Sequence, residues 1–191
     1  MKDNAEKTVF DKLIKDCIKN DRKAQKKLYE LLYKPMYNLS LYMVKNAADA
    51  EDLMQETFIS AYKNLNSYKN HVRFDYWLKR IAINKCIDFL RAKKQVTFIE
   101  EENVLNIIKS EDPVIESDES KQELIRIIKE NVLNLPDGYR IILTLYYFEG
   151  YDHQEIAEIL DIKESTSRSQ LNRAIVRLKS LIENSYEVQS K

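Results

Sequence analysis

The chain has 191 residues, with 31 Lys/Arg balanced by 31 Asp/Glu and only two Gly and three Pro. So few backbone breakers among abundant Leu, Ile, Lys and Glu predict an all-α protein of one or two cored domains. No stretch approaches the ~20 apolar residues of a membrane span, the leading MKDNAEKTVFDKL lacks the apolar core of a signal peptide, and Cys17 and Cys86 stand isolated; a cytoplasmic protein without membrane insertion, disulfide, metal or cofactor is expected, its cysteines serving as core filling.

The zero net charge hides an asymmetry. Residues 1–95 hold 20 Lys/Arg and 12 Asp/Glu (+8), residues 96–121 hold 2 and 8 (−6), and residues 122–191 hold 9 and 11 (−2). Within the last stretch, residues 163–179 hold five cations and one acid, preceded by Glu149, Asp152, Glu155, Glu158 and Asp161. Two basic surfaces separated by acidic sequence suit a polyanion gripped at two places.

Residues 9–95 form a near-continuous series of helical patterns. Phe10, Leu13, Ile14, Cys17 and Ile18 mark the first stripe. Leu28, Leu31 and Leu32 mark a second helix and the run Met36 to Val44 a third, with Pro35 as a break or kink. Asn46-Ala47-Ala48-Asp49 reads as a turn and cap. The next helix, 50–65, buries Ala50, Leu53, Met54, Phe58, Ala61, Tyr62 and Leu65 and shows Asp52, Gln55, Glu56 and Ile59 outside. A solvated acidic face is the ordinary reading of that surface, although an Ile among carboxylates hints at docking.

Residues 66–91 interleave Tyr, Phe, Trp, Lys, Arg and amides. Aromatic faces of this kind stack on unpaired bases while cations hold the backbone. A long helix over 74–94 carries Arg80, Asn84, Asp88 and Arg91 at i, i+4, i+8 and i+11, one polar stripe with Trp77 at its upper end. Taken singly, Phe74 and Trp77 fit a core role as well as a binding one. Residues 96–121 then lose helical order in an acidic run with Pro113, which reads as a linker, with a short helix around Val104–Ile108.

Order resumes with a helix to about Leu133, a turn at Leu135-Pro136-Asp137-Gly138, and a helix through Arg140–Phe148 stopped by Gly150. Two helices around a tight turn follow. The first buries Ile156, Ala157, Ile159 and Leu160. Asp161-Ile162-Lys163 breaks it, and Glu164-Ser165-Thr166 supplies capping-type residues. The second has its stripe at Leu171, Ala174, Ile175, Leu178, Leu181 and Ile182. Turned at about 100° per residue, its opposite face carries Ser165, Thr166, Ser169, Asn172 and Arg173, with Arg168 on the flank. Clustered near a helix N-terminus, such side chains suit a recognition helix in the major groove.

Three blocks, DAEDLMQETFISAYKNL (49–65), YKNHVRFDYWLKRIAINKCIDFLR (68–91) and LPDGYRIILTLYYFEGYDHQEIAEIL with the helix-turn-helix after it, resemble the extracytoplasmic-function (group IV) sigma factors of the sigma-70 family, dissociable specificity subunits of bacterial RNA polymerase. The resemblance covers roughly residues 10–95 and 122–182. It implies two helical domains, 9–95 (region 2) and 122–184 (region 4, a helix-turn-helix domain), joined by the acidic linker 96–121. It further implies that Asp49, Asp52, Gln55, Glu56 and Ile59 dock on core RNA polymerase through its largest subunits. Tyr68, Lys69, Asn70, His71, Arg73, Phe74 and Trp77 match the loop that captures a flipped base of the −10 element. Arg80, Asn84, Asp88 and Arg91 match the helix beside the melted strand. Ser165, Thr166, Arg168, Ser169, Asn172 and Arg173 fall on the helix that reads the −35 element of promoter DNA. An anti-sigma factor is a further implied partner. Two departures stand out. Asn70 occupies the Gly position of the family's FxGxxxF loop, a residue that tolerates left-handed φ. Gln170 stands where the recognition helix often has a cation, which is expected to weaken phosphate binding.

A stand-alone helix-turn-helix regulator would explain residues 151–182 but neither the aromatic-basic block nor the docking helix. An enzyme is not expected. His153-Gln154-Glu155 matches half of a zinc-deaminase signature, yet no PCxxC follows, and His71 and His153 are the only histidines.

Overall fold

The computed structural model describes residues 2–69, 71–93 and 118–189, with side chains described over 10–69, 71–93 and 122–184. Among the described residues every regular element is helical. The chain divides into two compact units, 1–93 and 94–191.

In the first unit, α1 (Lys2–Ile18), α2 (Arg22–Val44), α3 (Ala47–Lys63) and α4 (Phe74–Ala92) pack around α2, which touches each of the others. The reason lies in α2's apolar spacing. Leu28, Leu32, Met36, Leu39 and Met43 recur every three or four residues and are all buried, so one helix fills the middle of the unit. The structure corrects the expectation of two helices here: α2 runs unbroken through Pro35. Leu31 and Pro35 are both exposed, so the carbonyl that loses its N–H partner lies on the water side, where solvent satisfies it. Leu31 and Ile18, placed in apolar stripes by the sequence, are exposed accordingly. Asp21 caps α2, its carboxylate accepting from the N–H of Lys23 (2.7 Å) and Ala24 (3.2 Å). Lys45 ends it with φ +63°, and Asn46 caps α3 by accepting from Asp49 N–H (3.0 Å). The Tyr62 hydroxyl donates to the Gln25 carbonyl (2.8 Å) and staples α3 to α2. Cys17 and Cys86 are buried, and burial first of all pushes their thiols up, to about 11 and about 12. Neither is a reactive thiolate.

The second unit is built on α8 (Glu164–Gln189), against which α5 (Asp118–Val132), α6 (Asp137–Leu143) and α7 (His153–Leu160) pack. Helix α5 starts at Asp118, inside the expected linker; residues 96–117, with the short helix expected at Val104–Ile108, lie outside the described residues. Helix α6 begins at Asp137, earlier than the sequence suggested, and Thr144–Phe148 continues it as a wider π turn, with Glu149 N–H reaching the Thr144 carbonyl (3.1 Å). Gly150 stops it at φ +77°, a conformation that costs little without a Cβ. A reciprocal cap opens α7: Asp152 accepts from Glu155 N–H (2.8 Å) and Glu155 accepts from Asp152 N–H (2.9 Å). Asp161 closes it at φ +57°. Helix α8 then starts at Glu164, so Glu164-Ser165-Thr166 is its first turn rather than a cap ahead of it.

Candidate nucleic-acid interface

Three surfaces carry the residues singled out in the sequence. The first is the outer face of α3. Asp52, Gln55 and Glu56 are exposed, and Ile59 beside them is 53% exposed. Asp49 is half-buried at the helix start. Lys85 of α4 and Lys93, which caps that helix, reach across to this face: Lys85 Nζ lies 3.1 Å from Glu56 Oε2, and Lys93 Nζ lies 3.0 Å from Asp49 Oδ2. The α3 face and α4 are therefore neighbouring surfaces joined by charge.

The second surface starts at the N-terminus of α4. Tyr68, Phe74 and Trp77 form one aromatic cluster, with centroids 5.3 Å apart for Tyr68–Phe74, 5.4 Å for Tyr68–Trp77 and 5.4 Å for Phe74–Trp77. Their exposures differ. Phe74 is 3% exposed, so it is the floor of the cluster and offers no face to a base, a correction to its expected place among the contact residues. Tyr68 and Trp77 are half-buried and keep ring surface outside. The Tyr68 hydroxyl donates to the Val72 carbonyl (2.6 Å), which fixes its ring. Lys69, His71 and Arg73 are exposed around the cluster; Asn70 lies outside the described residues. Arg73 holds Asp75 at 3.1 Å. Further along α4, Arg80, Asn84, Asp88 and Arg91 are all exposed, a continuous polar stripe. Tyr76 was not singled out in the sequence, yet it is 48% exposed.

The third surface is the start of α8. Ser165 and Arg168 are exposed, and Ser169, Asn172 and Arg173 are half-buried. Arg168 pairs with Glu164 one turn earlier. Thr166 is 5% exposed, which corrects its assignment to the outward face. The buried line of α8 runs Thr166, Ser167, Gln170, Leu171, Ala174, a helical stripe whose first three members are polar. Gln170, 3% exposed, belongs to that line, so its lack of charge does not bear on phosphate binding as the sequence suggested. Ser167 Oγ lies 2.9 Å from His153 Nδ1, and Tyr146 stacks on the His153 ring at 4.8 Å. This contact locks α7 against α8. Burial, and then the nearby Arg168 cation, hold the His153 pKa below its usual value.

Residues 28–96 match the family model "Sigma-70 region 2", and residues 125–178 match "Sigma-70, region 4". The chain is 33% identical over 154 residues to the ECF RNA polymerase sigma factor SigM of Bacillus subtilis, spanning 81% of this chain and 92% of that protein. It is 32% identical over 172 residues to SigW of the same organism, 86% and 92% of the two chains. The sigma-E factor of Haemophilus influenzae is 31% identical, over 85% and 89%. Among solved structures, CnrH in complex with the cytosolic domain of CnrY shares the fold with a TM-score of 0.53 at 20% identity, covering 90% of this chain and 96% of that one. The sigma factor RpoE in complex with the anti-sigma factor NepR from Bartonella quintana gives 0.55 at 20% identity, covering 83% and 96%.

Proposed function

The chain belongs to the extracytoplasmic-function sigma factors of the sigma-70 family and directs transcription initiation rather than acting as a stand-alone regulator, and from that premise we propose how its three surfaces divide the work. The segment 9–95 docks on core RNA polymerase through the α3 face, with Asp49, Asp52, Gln55, Glu56 and Ile59 as its contacts. The same segment takes the −10 element. Tyr68 and Trp77 offer ring surface to a base that has left the stack, and Lys69, Asn70, His71 and Arg73 complete the set of contacts. Arg80, Asn84, Asp88 and Arg91 then line the melted strand. The segment 122–184 reads the −35 element through Ser165, Arg168, Ser169, Asn172 and Arg173, with Thr166 supporting that surface from beneath as Phe74 supports the aromatic cluster of the first unit.

The observation that carries this reading is the combination of a preformed aromatic cluster with an exposed polar stripe on one helix. Unstacking a base costs a few kcal/mol. A cluster already packed in the free protein offsets that cost without reordering its own rings first. The duplex-reading surface supports it: short polar side chains and two arginines lie at the N-terminal turns of α8, the part of a recognition helix that meets base edges.

The protein works in the cytoplasm and supplies recognition and melting; bond-making chemistry belongs to the polymerase. No described helix is long and apolar enough to cross a membrane. Its partners are core polymerase, promoter DNA and an anti-sigma factor, the last a class of protein with which the structurally similar RpoE is seen in complex. In-vitro transcription with core polymerase on a pool of genomic fragments tests the whole reading. Defined RNA 5′ ends that require the protein are expected. Transcripts no different from those of core polymerase alone would refute it.

A further inference from the structure

We propose that His153 is a positioning residue for −35 reading: through Ser167 it sets the rotation of α8 about its own axis, and with it the aim of the side chains that meet base edges. The inference rests on the −35 reading of α8 given above and extends it to two residues outside that set.

Three observations carry it. First, Ser167 is 0% exposed, and its Oγ lies 2.9 Å from Nδ1 of His153, the first residue of α7. A hydroxyl both donates and accepts, so either neutral tautomer of the ring makes this bond. Second, the ring is itself fixed. Tyr146 of the π turn stacks on it at 4.8 Å and 27°, and the reciprocal Asp152–Glu155 cap sets the backbone where α7 begins. Third, Ser167 closes the first turn of α8, within two residues of Ser165, Arg168 and Ser169.

A directional bond does something here that apolar packing does not. Ile156, Ile159 and Leu160 of α7 and Leu171 and Ala174 of α8 are buried, but apolar burial has no preferred direction and tolerates small rotations of a helix. A hydrogen bond confines its donor–acceptor distance to a range of about 0.5 Å. With the Ser167 oxygen roughly 3–4 Å from the helix axis, that range allows about 10° of rotation. Side-chain tips on the outer face, about 5–6 Å from the axis, then move by less than about 1 Å. That is close to the accuracy of about 0.5 Å and 10–20° that a binding constellation needs.

The test uses the full chain bound to core polymerase and a promoter recovered by transcription from genomic fragments, prepared as the intact duplex and as a duplex with its −35 segment scrambled. The ratio of the two affinities reads −35 discrimination, and the circular-dichroism midpoint of the free chain reads stability. His153→Phe keeps a ring without Nδ1, and Ser167→Ala removes the hydroxyl; each should cut the ratio by about fivefold or more, the scale of one mismatched base pair. The double variant leaves neither group of the pair buried without its partner, so its midpoint should return toward wild type while its ratio stays low. A double variant that regains the ratio together with the midpoint overturns the proposal, because the pair would then serve stability alone. So does a ratio unchanged in all three variants, or one that falls only in step with the midpoint. If wild type itself does not discriminate between the two duplexes, the −35 reading of α8 fails, a result distinct from failure at His153.

Discussion

Arg140 provides the sharpest test of how the second unit is held together. Its side chain is 0% exposed and donates to Asp137 Oδ1 at 2.6 Å and to the Leu135 carbonyl at 3.2 Å. Asp137 is 33% exposed. Removing one partner of a buried ion pair costs about 3–5 kcal/mol, because the remaining charge is left uncompensated in the interior. Partial exposure of Asp137 lets water approach the gap, which lowers the expected cost of Asp137→Ala to about 2–3 kcal/mol. At about 4–8 °C per kcal/mol for a domain of this size, the midpoint should fall by roughly 10–20 °C. Arg140→Met is the gentler change. It replaces the buried cation with an apolar side chain of similar length and leaves an Asp137 that remains hydrated, for about 1 kcal/mol. The double variant should recover most of the Asp137→Ala loss. The assay exploits the position of the single tryptophan. Trp77 lies in the first unit, so its fluorescence follows that unit, whereas helical circular dichroism follows both. A circular-dichroism transition that shifts in Asp137→Ala while the fluorescence transition stays put is the expected pattern. If Arg140→Met proves as damaging as Asp137→Ala, the argument from a stranded buried charge is wrong.

Other outcomes follow from the same structure. Ile59→Lys should weaken association with core polymerase by about 1–3 kcal/mol without lowering the fluorescence midpoint, since the side chain is an exposed apolar contact; unchanged co-purification with core would remove the α3 face from the docking surface. Arg168→Ala and Arg173→Ala should each cost about 1–3 kcal/mol of upstream promoter binding if they reach base edges, and footprinting with intact −35 protection in both would contradict that placement. His153 has a pKa held below its unfolded value of about 6.5. Its neutral form is thus favoured in the fold, and the stability it contributes is present above that pH and lost as pH falls through the folded-state pKa. The urea midpoint of the second unit should therefore drop more between about pH 7 and about pH 5 in wild type than in His153→Gln, and parallel curves would refute the linkage.

Much of this was legible in the sequence because apolar side chains announce burial. The α3 face followed from Ala50, Leu53, Met54, Phe58 and Ala61, all buried as their spacing required. The errors arose where polar residues are buried or apolar ones are not. Thr166, Ser167 and Gln170 begin the inward line of α8, but their polarity made the apolar stripe seem to start at Leu171. A hydroxyl facing a histidine ring is satisfied in the interior, and no periodicity in hydropathy reveals that pairing. Arg140 is the extreme case, a full charge buried because an aspartate one turn away neutralises it. Pro35 misled in the opposite sense. A proline inside a helix loses one hydrogen bond and crowds the carbonyl four residues back, and whether water and packing offset that cost depends on tertiary context that local sequence does not encode.

The ion pairs across α3 and α4 bear on how docking and DNA binding coexist in one unit. Lys85–Glu56 and Lys93–Asp49 are open to water, with side-chain exposures of 26% and 60% in the first and 43% and 28% in the second. Pairs of this kind contribute about 0–1 kcal/mol. A polymerase surface that takes over Glu56 or Asp49 therefore gives up little when it displaces the lysines. Lys85 is on α4 and Lys93 caps its C-terminus, so on the proposed reading docking would expose positive charge beside the stripe that takes the strand. If that exchange occurs, Lys85→Gln should leave core association nearly unchanged and weaken single-strand binding only in the holoenzyme. Equal weakening in the free protein would mean that Lys85 already serves DNA before docking, and the exchange would play no part.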